Sequence, residues 1–202
     1  MNAQVDAAEL VAALGDLART AGKDQSLPML RGIVAHAHSG HGRLYLTSTN
    51  RFVLGQAWLP CEGELKATFL SLESAGVLRA LLGSALGAAL LERRNEKLAV
   101  EESGGGLLSV PVGDVASFPN VEKIVKSAPA EGNTDATLGA DLVSALAMIA
   151  RRRREPLRFR FGAERKPSVI EIGQQYRAMI MPVIQPPGEE FVWSVPHTER
   201  TP

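Results

Sequence analysis

Four consecutive arginines, Arg151, Arg152, Arg153 and Arg154, close a stretch that reads as a helix and form the densest run of one charge in the chain. Guanidinium groups in that number suit loose, sequence-independent contact with phosphates. One or two cations at a helix end are explained by the helix dipole; four exceed that explanation. Arg19, Lys23 and Arg79 lie on or near two other helical stretches and extend the same reading. The other reactive residue types carry less. His36 and His38 share a strand face with His41 nearby, but no carboxylate stands at a ligand-like spacing, so a solvated hairpin face is expected rather than a metal site. Cys61 has no histidine or basic cluster to activate its thiol and reads as structural. Gly104, Gly105 and Gly106 precede no Lys-Ser/Thr pair and open no helix, so they read as a hairpin turn, not a phosphate loop. The glutamate pairs at 101–102 and 189–190 diverge on extended chain. No catalytic constellation emerges, and the expectation is a protein that is not an enzyme, with no metal and no cofactor.

Bulk composition is compatible with that. The 202 residues hold 22 basic and 22 acidic side chains, so any affinity for nucleic acid must come from local placement of charge. A single cysteine excludes an intramolecular disulfide and a cysteine zinc cluster. No charged leader precedes an apolar core, and no apolar run reaches the ~20 residues needed to span a bilayer. The expectation is a soluble cytoplasmic protein without a membrane partner.

The elements that must position the arginines repeat. Leu10-Val11-Ala12-Ala13-Leu14, Val77-Leu78-Arg79-Ala80-Leu81 and Leu142-Val143-Ser144-Ala145-Leu146 begin at positions 10, 77 and 142, intervals of 67 and 65 residues. Their apolar residues recur at helical spacing: Leu10, Val11, Leu14 and Leu17; Val77, Leu78, Leu81 and Leu82; Leu142, Val143, Leu146 and Ile149. Period-two alternation follows each helix, over residues 32–38, 43–48 and 51–59, then 88–93, 97–102 and 107–112, then 157–162, 168–173 and 176–184. A short extended piece precedes each helix, as at 65–70 and 135–138. The repeat is strand, helix, three strands, used three times, which makes the fold class α+β. Residues 126–135, with Pro129, Gly132 and Asn133, read as a linker, and the proline-rich residues 185–202 as a mobile tail.

Four separated motifs make the repeat specific. Leu27-Pro28-Met29-Leu30-Arg31-Gly32-Ile33, Leu46-Thr47-Ser48-Thr49-Asn50-Arg51-Phe52-Val53-Leu54, Phe118-Pro119-Asn120 and Tyr176-Arg177-Ala178-Met179-Ile180-Met181-Pro182-Val183 occur in that order. Together they resemble the bacterial sliding clamp, the beta subunit of DNA polymerase III, over about residues 1–184. The resemblance implies a DNA-clamp fold in which helices line a ring and antiparallel sheets form its outer wall. Residues 1–125 would be one complete clamp domain of two half-units (about 1–61 and 62–125), and 136–184 a single half-unit like the last half of the third domain. A family ring holds twelve such units, so chains of three would close it as a homotetramer.

The resemblance also implies sites. Clamp partners dock a short apolar peptide into a groove that here would comprise Thr49, Arg51, Phe52, Val53, Leu54, Pro119, Ile124, Met179, Met181 and Pro182. Asn50 replaces the family's usual aspartate, and Val53 stands where an arginine is common. The DNA-facing set would be Arg19, Lys23, Arg79 and the run from Arg151 to Arg154. The implied function is a processivity factor that encircles double-stranded DNA, tethers a replicative polymerase and other clamp-motif proteins, and is served by a clamp loader. The competing reading is a clamp-like module that binds clamp-motif peptides or a full-length clamp without encircling DNA. A clamp reduced in this way would suit a phage or mobile element.

Overall fold

The computed structural model describes residues 2–38, 40–85, 87–121, 136–162 and 166–183. Residues 126–135 and 185–202, expected to be linker and tail, lie outside these. The first unit runs β1 (Asn2–Asp6), α1 (Ala7–Thr20), a short 3-10 turn (Pro28–Leu30), β2 (Gly32–Ala37), β3 (Arg43–Thr49) and β4 (Val53–Pro60). After the two-residue β5 (Glu62–Gly63), the second unit runs β6 (Leu65–Ser71), α2 (Leu72–Leu82), β7 (Ala88–Arg94), β8 (Lys97–Glu102) and β9 (Leu107–Pro111). The third has α3 (Ala140–Arg153), β10 (Leu157–Arg160), β11 (Ser168–Ile172) and β12 (Tyr176–Ile180). The two sheets are antiparallel, in the orders β5-β1-β7-β8-β9 and β10-β11-β12-β4-β3-β2-β6.

Local chemistry explains where the helices start. The Asp6 carboxylate accepts a hydrogen bond from Glu9 N at 2.8 Å, and Ser71 Oγ accepts one from Ser74 N at 3.0 Å. Each satisfies a backbone donor that the helix itself leaves unpaired. The third helix has only Gly139 at this place and no side-chain cap. It ends on Arg154, held in the left-handed region at φ 56°. The stripes expected on α1 and α3 are the buried ones, with Leu10, Leu14, Leu17, Leu146 and Ile149 in the core. On α2 only half of the stripe is covered: Leu78 and Leu82 are buried, whereas Val77 and Leu81 are exposed.

Units one and two interlock by exchanging their leading strands. β1 of the first unit pairs with β7 of the second, and β6 of the second pairs with β2 of the first. On its other side each leading strand meets the segment that ends its own unit, through Glu64 N to Asn2 O and Gly113 N to Phe69 O, both 2.9 Å. The third unit departs from the expected pattern. Residues 136–139 form no strand, and their link of this kind is Val183 N to Thr137 O at 2.8 Å. The physical reason is that a strand needs a ladder, and among the described residues no first strand of a mate unit lies beside this segment.

The third unit is fixed to the first in two ways. β12 pairs with β4 from Tyr176↔Ala57 to Ile180↔Val53, which makes one continuous sheet. Behind that sheet, Asp16 of α1, fully buried, receives two arginines from the end of α3. Arg152 Nε donates to Oδ1 at 2.6 Å and Arg153 Nε donates to Oδ2 at 2.7 Å. The Arg153 guanidinium also lies 5.2 Å from the ring centroid of Tyr176, whose buried phenol is pushed well above the usual tyrosine range by desolvation. Gly55 lets these layers close, since an added Cβ there would stand 2.5 Å from both Thr20 Oγ1 and Tyr176 Oη. Thr20 and Ser48 share a buried hydroxyl hydrogen bond of 2.7 Å alongside.

A buried carboxylate is stabilising only while its partners remain. Arg153→Ala removes the better buried of the two partners and is expected to cost about 3 kcal/mol, the lower end for breaking a buried pair because Arg152 stays. Urea unfolding checks this; Arg151→Ala, which removes an exposed side chain of the same helix, is expected within about 0.5 kcal/mol of the parent.

Candidate peptide groove and DNA-facing helices

The groove residues come from two distant parts of the sequence, and the β4–β12 ladder brings them together. Leu54 lies opposite Met179, and two residues further along Met181 N donates to Phe52 O at 2.9 Å. The turn before β4 is built by its own polar residues. Asn50 Oδ1 accepts from Phe52 N at 3.0 Å and from Val53 N at 2.8 Å, while the Thr49 hydroxyl donates to Val53 O at 2.8 Å. These bonds hold Arg51 in the left-handed region at φ 80°. The asparagine therefore supplies the acceptor that an aspartate would supply. The turn presents Phe52 to solvent at 60% exposure, beside Met181 at 42%. Thr49, Leu54 and Met179 form a buried floor, and Pro182 is half-buried at the rim.

One member of the expected set, Val53, falls elsewhere. Strand alternation turns Val53 to the opposite face, where it joins the core under α1 rather than the floor shared by Leu54 and Met179. Pro119 lines a cavity of about 550 Å³ on the outer face of the seven-stranded sheet, together with His36, Tyr45, Thr47, Gln56 and Arg177, and the last three of these are the same-face neighbours of Thr49, Leu54 and Met179. Ile124 lies outside the described residues. That cavity is a feature the sequence reading missed; of the expected solvated histidine face, His38 and His41 are exposed and only His36 is partly covered. His36 is half-buried, stacks on Tyr45 at 5.5 Å between centroids, and meets His38 edge-on at 5.5 Å. Desolvation, with His38 adding to it, holds the His36 imidazole below its ordinary pKa and so favours the neutral ring. The signal available in the sequence was the alternation of Val34, His36 and His38 with Tyr45 across a hairpin. Among the described residues no group of histidine, cysteine and carboxylate side chains is arranged to hold a metal ion. Cys61 is buried, and burial pushes its thiol up, the reverse of activation.

The seven basic candidates divide by what they touch. Arg152 and Arg153 are committed to Asp16, Arg153 with its side chain only 13% exposed and Arg152 with 40% still open to solvent. The cause is that a buried carboxylate on α1 must be neutralised by whatever packs over it. Arg19, Lys23, Arg79, Arg151 and Arg154 are exposed. Arg79 reaches from α2 across Gly15 of α1, its guanidinium 3.2 Å from where a Cβ would be. Arg19 reaches the other way, its Nη1 3.5 Å from Met148 Sδ on α3. The three helices touch through α1, so these long side chains bridge both seams of one helical surface.

No protein-family model matches this chain, and no curated protein matches it. Solved structures do. The chain is similar to the pol III beta of Caulobacter crescentus at a TM-score of 0.70 and 16% identity, over 91% of this chain and 66% of that one. It is similar to the DNA polymerase III beta subunit of Thermotoga maritima at 0.69 and 15%, over 92% and 66%. A third likeness, at 0.68 and 14% over 91% and 66%, is to the Bartonella birtlesii sliding clamp bound to griselimycin. This chain has the fold of the bacterial DNA polymerase III beta-subunit sliding clamps, in the α+β class. It spans 66% of the length of those clamps.

The exposed rim of the groove can be tested without touching its buried floor. Met181→Asp is expected to weaken binding of a clamp-motif peptide, one carrying a Gln and a Leu/Phe pair, at least tenfold by fluorescence anisotropy. Its thermal midpoint and mass by light scattering should stay those of the parent, because Met181 is 42% exposed.

Proposed function

We propose that this protein is a non-catalytic processivity factor of the sliding-clamp type. It forms a homo-oligomeric ring around duplex DNA and tethers a replicative polymerase at the groove between β4 and β12. The observation that carries the reading is the β4–β12 ladder, which sets exposed Phe52 and Met181 side by side above the Leu54 and Met179 floor. A concave apolar site with flexible methionines accommodates several related peptide sequences. Tethering then acts through effective concentration: a polymerase held on the ring rebinds the primer end before it diffuses away.

The helical surface supports the DNA half of the reading. Exposed Arg19, Lys23, Arg79, Arg151 and Arg154 offer charge without base-reading geometry, and such contacts fix position on DNA while carrying no sequence information. A ring of four chains, about 86 kDa from a 21.6 kDa chain, is the favoured assembly, with a clamp loader to open it. Its place of action in this reading is the cytoplasm of a bacterial cell; no helix among the described residues is long and apolar enough to cross a membrane.

Topology is the decisive test. Once loaded on nicked circular DNA, the protein is expected to co-elute with the plasmid in high salt and to be lost when the plasmid is linearised. Equal loss from circular and linear DNA would leave a peptide-binding module that does not encircle DNA. Replacing Arg19, Arg79 and Arg151 together with glutamate should lower the salt dependence of DNA association, by roughly one unit of slope for each phosphate contact removed.

A further inference from the structure

We infer that the third unit carries a self-complementary docking edge whose occupant is the third unit of a second copy of this chain. The inference goes beyond the clamp reading, because it names the surface and the register and would hold whether or not the assembly surrounds DNA.

The argument is a regularity that the chain obeys twice and leaves half-made once. In each of the first two units the segment before the helix has two backbone neighbours. One is the end of its own unit, at Asn2 O with Glu64 N and at Phe69 O with Gly113 N. The other is the first strand after the helix of the mate unit, in β1 with β7 and β6 with β2. The third unit makes the first of these contacts, Val183 N to Thr137 O. The second is missing from both of its sides among the described residues: residues 136–139 have no mate strand there, and β10 is a terminal strand of the seven-stranded sheet. Only residues 122–135 lie between the second unit and this one, too few for a further unit of this kind.

Side-chain burial gives the same answer. The second core-facing position of the strand after the helix is Ala35 in β2 and Leu91 in β7, each 2% exposed. In β10 that position is Phe159, which lies across from buried Ile170 yet is itself 36% exposed. Val183, whose N–H is bonded to Thr137 O, is 46% exposed in the same unit. A free edge with uncovered apolar side chains is a pairing surface.

The exchange seen inside the chain is reciprocal, each unit giving its leading strand to the other. A reciprocal exchange is what a twofold axis generates between identical surfaces. Two copies of the third unit therefore suffice, and no other protein is needed. Matching faces sets the register. Val5 lies opposite Ala89 and Leu70 opposite Ile33, the last core-facing residue before the helix against the first after it. The same rule puts Leu138 of one copy against Leu157 of the other, and Thr137 against Arg158.

Single variants Thr137→Cys and Arg158→Cys, made separately and re-associated as a mixture, test the register. Buried Cys61 serves as the silent background. Mild oxidation is expected to give a disulfide-linked species near 43 kDa in the mixture and at most a trace with either variant alone, since directly opposed strand positions meet disulfide spacing. Phe159→Glu is expected to lower the solution mass at least twofold while its circular dichroism remains that of the parent. A stable 21.6 kDa parent, or an oligomer whose mixture gives no cross-link and whose mass ignores Phe159→Glu, would overturn the inference. Cross-linking without retention on circular DNA would uphold it and overturn the ring.

Discussion

The ladder from Val53↔Ile180 to Ala57↔Tyr176 is the contact on which the rest of the molecule depends. Without it the third unit would touch the first only through helices, and the sheet would end at β4. With it, two segments more than a hundred residues apart share one floor, and the turn held by Thr49 and Asn50 is aimed at the chain that follows β12. The ladder also presses Tyr176 and Ala178 onto the helix layer. That closeness is why Gly55 has no side chain and why Thr20 and Ser48 satisfy each other there. Groove and interdomain packing are therefore one structural feature, and a change that loosens either is felt in the other.

Asp16 is the electrostatic counterpart of that ladder. A carboxylate with no exposure inside a helix seam is costly unless its oxygens are saturated by cations. Arg152 and Arg153 saturate them, and the left-handed turn at Arg154 directs the chain away immediately afterwards. The arginine run serves two purposes as a result. Its middle pair locks α3 to α1, while Arg151 and Arg154 stay in solvent. This division is steric: residues one apart on a helix diverge by about a quarter turn or more, so four in a row cannot share one environment.

Much of the architecture was legible because it is periodic. Three helical stripes and nine alternating stretches gave the repeat, and the strands after each helix lie where alternation put them, with shifts of a residue or two at most ends and β12 closing at Ile180, four residues before the expected end. The resemblance to sliding clamps rested on four motifs, and two of them, Leu46 to Leu54 and Tyr176 to Val183, do meet along β4 and β12. What stayed hidden is what depends on partners far away in sequence. Nothing around Asp16 announces that it is buried, since a single acid on a helical stretch reads as surface. Val53 was assigned by motif, although period two already sets it opposite in face to Leu54. The cavity beside His36 needs the segment through Phe118 to fold over β2 and β3, a contact no local pattern encodes.

The odd number of units gives these details a common cause. The segment before a helix needs a ladder to become a strand, and in units one and two the chain supplies that ladder from the mate unit as well as a contact on the other edge. In unit three the described residues supply only that contact, and residues 136–139 stay irregular although Thr137 is already hydrogen-bonded on the inner side. Sequence propensity is not the deciding factor, because the same extended start was legible ahead of all three helices. The deciding factor is the backbone ladder, which is a property of two segments and not of one. A unit that is complete in sequence can thus be incomplete in structure, and the missing half of its ladder has the same chemistry as the half it offers.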